Sequence, residues 1–229
     1  MLDQDLRRRC APVCRLAIVG LLAASSGHAG TIWTNWTTAT LGANGGGAAA
    51  GSVNSINVSY SGELDGAVVN GTSSIWAPNS SFIGGTSTTS PSTVGDDLRT
   101  NGSFTGINTI AFSSPVQNPV FAIWSLGSPA LQASFNFNAT PTLQVGGPNS
   151  QFGGSAITVS GNVVNGVEGN GVVEFTGTFS SISWSNSFEN FYAFTVGVNG
   201  PAGDVPEPGT IGLVGLGCAG LLLRLRNRT

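Results

Sequence analysis

The sequence predicts an all-β protein, an antiparallel β-sandwich of jelly-roll-like form, flanked by an N-terminal signal peptide and a C-terminal single transmembrane helix. Three observations predict it. Apolar and polar residues alternate with a period of two, turn dipeptides separate these runs, and an apolar segment stands near each end of the 229 residues. The implied units are a signal peptide at 1–29, an extracellular domain at 30–203 and a tail at 204–229.

The first segment has a basic start in Arg7, Arg8, Arg9 and Arg15, then an apolar run from Leu16 to Ala24, then Gly27-His28-Ala29. Small residues before the junction suit signal peptidase, so cleavage after Ala29 makes Gly30 the new N-terminus. As a helix, the run rises only about 14 Å, half of a hydrocarbon core, which favours cleavage over a lasting anchor. Cys10 and Cys14 precede the run, whereas a lipid-modified cysteine follows it.

Removing this segment takes away the single histidine, His28, and two of three cysteines; Cys218 lies in the C-terminal apolar run. The domain between therefore has no thiol, imidazole or ammonium side chain. Disulfide stapling, cysteine or histidine metal sites and Ser-His-Asp, Cys-His or Ser-Lys catalysis are all excluded by inventory. Between Gly30 and Val205 one arginine, Arg99, stands against eight carboxylates, a net charge of −7. That balance excludes nucleic acid, whose affinity comes from cations on phosphates.

Alternation is clearest in Leu131-Ala133-Phe135-Phe137, Val173-Phe175-Gly177-Phe179 and Tyr192-Phe194-Val196-Val198. Further strands are expected at Ile32 to Thr37, Val53 to Tyr60, Phe104 to Phe112, Val120 to Leu126 and Ala156 to Val164. Asn44-Gly45-Gly46, Asn70-Gly71, Asn101-Gly102, Gly146-Gly147-Pro148 and Asn165-Gly166 mark the turns. No long stretch has helical spacing, so helices should be nearly absent. The loop from Gly84 to Arg99 reads as a functional or solvated excursion.

Few side chains in this domain carry chemistry. Glu168 and Glu174 are the carboxylate pair nearest to a glycosidase arrangement. Between them Gly169-Asn170-Gly171 reads as a turn, which leaves Glu168 as a turn cap and Glu174 pointing to solvent. Asp96 and Asp97 offer oxygens for a weak calcium site, and Glu63-Leu64-Asp65 shares that ambiguity; no other cofactor is expected. Of five tryptophans, Trp36 and Trp76 are the candidates for an exposed carbohydrate platform, because polar threonines follow one and Ala77-Pro78-Asn79 follows the other.

At the far end, Val205-Pro206-Glu207-Pro208-Gly209 precedes an apolar run from Ile211 to Leu223 and the basic end Arg224-Leu225-Arg226-Asn227-Arg228-Thr229. Pro206 and Pro208 fix φ and remove two backbone donors, which keeps Glu207 in an extended, accessible segment. The apolar run partitions into lipid, and Arg224, Arg226 and Arg228 stop it on the cytoplasmic side. This order resembles the PEP-CTERM sorting signal, over about the last 25 residues. Ile110 to Val116, Asn165 to Gly171 and the phenylalanine-rich Phe175 to Val198 also resemble the body of one group of PEP-CTERM proteins.

The resemblance implies partners: an exosortase, the export machinery, the inner membrane in transit and exopolysaccharide. It also implies Pro206, Glu207 and Pro208 as the recognised motif, and Arg224, Arg226 and Arg228 as the membrane stop. The expected function is that of an exported, non-enzymatic surface or matrix protein of a biofilm. A carbohydrate-binding module is the alternative, and a carboxylate-dependent glycan-active enzyme a third reading.

Overall fold

The computed structural model describes residues 30–199. The signal peptide at 1–29, with Ala29 of the expected cut, and the tail at 204–229 lie outside the described residues. The chain runs through β1 (Thr31–Trp33), β2 (Asn35–Leu41), β3 (Gly46–Val53), β4 (Ile56–Glu63), β5 (Gly66–Val68) and β6 (Asp97–Thr100). It continues through β7 (Asn108–Gln117), β8 (Pro119–Leu126), β9 (Ala133–Phe137), β10 (Thr142–Gly146) and β11 (Ser155–Ala156). The last five are β12 (Thr158–Ser160), β13 (Val163–Gly166), β14 (Gly169–Glu174), β15 (Thr178–Asn186) and β16 (Tyr192–Asn199). Among the described residues the helical pieces are three 3-10 turns, and no helix there is long and apolar enough to cross a membrane.

The strands form two sheets. The first has the order β10-β14-β8-β16-β6-β5, with β1 added to β16 and β11 to β14. The second has the order β12-β13-β9-β15-β7-β4-β3-β2. All pairs are antiparallel except the short β11–β14 contact. The central quartet β6-β16-β8-β14 faces β7-β15-β9-β13, and from β6 to β9 the chain changes sheet at every strand.

Period-two alternation directs one row of each sheet into a shared core. Phe121 of β8 meets Phe137 and Trp184 of the other sheet at ring distances of 5.5 and 5.4 Å. Phe194 of β16 meets Trp184 at 5.1 Å and Tyr60 at 5.3 Å. Each ring buried here stabilises by roughly 1.5–3 kcal/mol relative to exposure.

The first sheet is covered on its other face too. Ile75, Trp76 and Phe82, from the connection between β5 and β6, pack on Val120, Ala122, Trp124, Val172 and Ala193. That cover buries β8 and β14 along their whole length, and β8 accordingly reads as a near-continuous apolar run. The expected excursion from Gly84 to Arg99 is thus part of a packed lid that ends in β6. The outer face of the second sheet is left to solvent and is built of Thr38, Ala50, Ser59, Asn57 and similar small residues.

Several boundaries differ from expectation. Val53 to Tyr60 is two strands, split by Asn54 and Ser55 at φ 44° and 63°, the left-handed pair a two-residue hairpin requires. Ile32 to Thr37 divides at Thr34, where β1 joins the first sheet and β2 the second. Ala156 to Val164 folds back at Gly161. Gly169-Asn170-Gly171 is the start of β14 rather than a turn, and the crossover lies at Val167 and Glu168. The glycine- and alanine-rich β3 shows no alternation of large side chains in the sequence. Its Gly51 sits opposite Trp36 at a bulge, where a Cβ would approach Asn35 O to 2.3 Å.

Candidate functional site

The chain enters and leaves the domain at one place. Thr31, one residue past Gly30 of the expected cut, pairs with Asn199 across β1 and β16. Thr31 Oγ1 donates to Asn199 Oδ1 at 2.8 Å, and Thr31 N donates to Thr88 Oγ1 at 2.8 Å. Asn199 Nδ2 and Thr86 Oγ1 both donate to Glu174 Oε2, at 2.6 and 2.5 Å. Glu174 is therefore buried as the acceptor that ties the lid to this corner, and the expectation that it points to solvent is corrected.

Trp36 and Trp76 are not platforms; their exposures are 0% and 1%. Trp36 points into the core, where Nε1 donates to Thr195 Oγ1 at 3.1 Å. The threonines after it lie on the solvent side of β2. Trp76 packs edge-on against Phe82 at 5.3 Å, and its Nε1 donates to Asp96 O at 3.0 Å. Each ring fills the core and satisfies its one donor, which is the usual fate of a strand or lid tryptophan.

The acidic residues are likewise engaged. Asp96 Oδ2 accepts from Trp36 N at 2.7 Å and Oδ1 from Gly71 N at 2.6 Å. Burial pushes its carboxyl above the usual range against the lowering effect of those two amides. Asp97 Oδ1 pairs with Arg99 Nε at 2.7 Å. The two carboxylates thus serve different partners. Among the described residues no group of three or more His, Cys, Asp or Glu is placed to hold a metal ion.

Glu63, which the sequence offers as a weak metal ligand, is a buried clasp. Its carboxylate accepts from Gly102 N and Ser103 N at 2.8 Å, Phe104 N at 3.1 Å and Asn186 Nδ2 at 2.6 Å. Three successive amides converging on one carboxylate explain how it is buried without a cation. The Asn101-Gly102 turn signal was visible in the sequence, but its acceptor, 39 residues earlier, was not.

Glu168 and Glu174 flank the two ends of the six-residue strand β14. At about 3.3 Å per residue they stand roughly 20 Å apart, well beyond the 5–9.5 Å across which two carboxyls act on one glycosidic bond. Glu168 sits at φ 51°, and its Oε2 accepts from Ser125 Oγ.

These burials leave the described surface almost free of charge. Glu63, Asp96, Asp97, Glu174 and Glu189 are buried, Arg99 and Glu168 are half-buried, and Asp65 is exposed. On the outer face of the second sheet an open depression of about 540 Å³ is lined by Thr37, Ala50, Asn57, Ser59, Ala111 and Ser113. Hydroxyl, amide and methyl groups there offer hydrogen bonds and contact area; none of them is a general acid or base at neutral pH.

The remaining sequence-derived site residues, Pro206, Glu207, Pro208, Arg224, Arg226 and Arg228, lie outside the described residues. Residues 204–227 match the family model described as the PEP-CTERM protein-sorting motif. The match covers all of these residues except Arg228 and begins five residues after Asn199, the end of β16. No curated protein and no solved structure matches the chain. By the motif at residues 204–227 the chain is a PEP-CTERM domain-containing protein, and that motif indicates sorting by an exosortase and export through the membrane to the cell surface or beyond.

Proposed function

We propose that the chain is a non-enzymatic surface or matrix protein that an exosortase delivers into an exopolysaccharide layer. The sorting motif carries this reading: it begins five residues after the last strand of the described two-sheet body. On this reading the signal peptide is cut after Ala29, and Ile211 to Leu223 span the membrane in transit with Arg224, Arg226 and Arg228 on the cytoplasmic side. Thirteen apolar residues are short for a permanent span, which suits a segment that is later removed.

The strand order β6-β16-β8-β14 against β7-β15-β9-β13 supports reading the body as a jelly roll, with β1 to β5 and β10 to β12 as additions. Its scattered, structurally committed carboxylates support a binding or architectural role over a catalytic one. An uncharged surface of hydroxyls and amides suits a hydrated polymer of similar chemistry.

Intact mass of the protein from cells and from medium tests the delivery step. The expected medium form begins at Gly30 and ends near Pro206 to Pro208. A medium form retaining residues 211–223, or an uncut chain in both fractions, contradicts it.

A further inference from the structure

The two ends of the sandwich differ in kind. One carries Thr31 and Asn199, and so both connections to the targeting segments. The other gathers six of the eight exposed large apolar side chains among the described residues: Leu41, Ile107, Leu131, Phe152, Val167 and Phe188.

Strand register places them there. Leu41 pairs with Gly47, beside the Gly46–Glu63 pair, and Ile107 precedes Asn108, which pairs with Trp184. Leu131 closes the turn after β8, Val167 joins β13 to β14, and Phe188 joins β15 to β16. The Phe152 ring lies 5.5 Å from that of Trp124, whose other neighbour is Phe191 at 5.6 Å.

Polar groups lie among and beneath these rings. Trp124 Nε1 and Glu189 Oε2 are buried without a hydrogen-bond partner, and Glu168 is half-buried at the same end. The described body contains no lysine, and its one arginine, Arg99, is held by Asp97 with its guanidinium 5.6 Å above Phe191.

We propose that this end is a binding surface for an uncharged, hydroxyl-rich glycan chain, an inference that rests on the exopolysaccharide association proposed above. Phenyl rings exposed to 60% at Phe152 and 57% at Phe188 offer flat apolar area to the C–H faces of sugar rings. Loop carbonyls and the Glu168 carboxylate accept hydroxyl protons. Carboxylates without a free cation disfavour uronate or phosphate polymers. They also disfavour end-to-end pairing of two copies, which would bring Glu168 and Asp65 towards their own counterparts.

The placement of the connections supports the choice of an external ligand. Both connections to the targeting segments leave the body at the Thr31 end, and four residues, 200–203, separate Asn199 from the motif. The opposite end carries neither connection and is left open to an external ligand.

The test is affinity electrophoresis of the full chain, in a polyoxyethylene detergent that contains no sugar, through gels holding galactomannan, mixed-linkage β-glucan or alginate. Retardation by at least one neutral polymer is expected, weakened tenfold or more in F152A/F188A and unchanged in I83A, an exposed apolar residue elsewhere. Melting curves check folding; should the double variant unfold, F188A alone, whose ring packs on none of the tryptophans, is expected to show at least a threefold loss. Neutral-polymer binding that survives F152A/F188A overturns this site and leaves the glycan association standing. Retardation by alginate alone, or by no polymer, overturns the proposal while export stands on the mass measurement. Concentration-dependent retardation without polymer identifies a second copy as the occupant and also overturns it.

Discussion

Thr31 and Asn199, separated by 168 positions in sequence, form one antiparallel pair in which Thr31 Oγ1 donates to Asn199 Oδ1 at 2.8 Å. β6 covers the first half of β16 and β1 covers the second half. The first residues after the expected signal cut therefore complete the strand that leads to the sorting tail.

This makes β1 a structural element and not a leader remnant. Trp33 is 2% exposed, and its indole donates to Thr89 O at 2.9 Å. Trp33→Ala is expected to cost about 3–5 kcal/mol, read as a lower urea midpoint. A midpoint equal to wild type would show that β1 is not integral to the body.

The Glu63 clasp makes a sharper claim about charge. Gln at this position keeps the shape but sets an amide N–H₂ against amides that need an acceptor. Glu63→Gln is expected to lose about 2 kcal/mol, in line with hydrogen bonds to a charged group. Urea unfolding measures it, and a neutral result would mean that the three amides do not depend on this carboxylate for their acceptor.

Stability should fall as pH rises from the carboxylate range towards neutrality. Burial raises Asp96 and Glu189 above their ordinary values of 3.8 and 4.5. The folded state then holds protons that the unfolded state has released, so this stabilisation is present below those values and is lost through the raised ones. Burial also raises the phenols of Tyr60 and Tyr192, which repeats the effect above about pH 10. Melting temperature against pH tests both; Asp96→Asn should flatten the acidic slope, and an unchanged slope would remove Asp96 as its source.

The buried tryptophans give a further contrast with the exposed phenylalanines. Trp36→Ala and Trp76→Ala should each lower stability by about 3–5 kcal/mol and weaken near-ultraviolet dichroism. A ring that proves dispensable for stability would return the platform reading to consideration.

Where alternation was complete, as in β9 and β16, the sequence disclosed both strand and buried face, because period two is a local property. It did not disclose which element covers the second face of β8, since Trp76 and Phe82 reach Trp124 only through the lid. The burial of Trp36 was hidden for the same reason: its partner Thr195 lies 159 residues away, while adjacent threonines advertise a wet strand. β3 escaped notice because its glycines and alanines serve close strand approach at the bulge. The sorting motif was legible because its order of prolines, apolar run and arginines is contiguous.

The central claim is that the C-terminal segment, and not the sandwich, decides where the protein goes. Deleting residues 206–229 and comparing cell, membrane and medium fractions of the producing bacterium with the full chain tests it most directly. The expected result is loss of membrane association and of C-terminal processing, with the body accumulating in the space between the membranes. Unchanged fractionation and an unchanged mature mass would contradict the account.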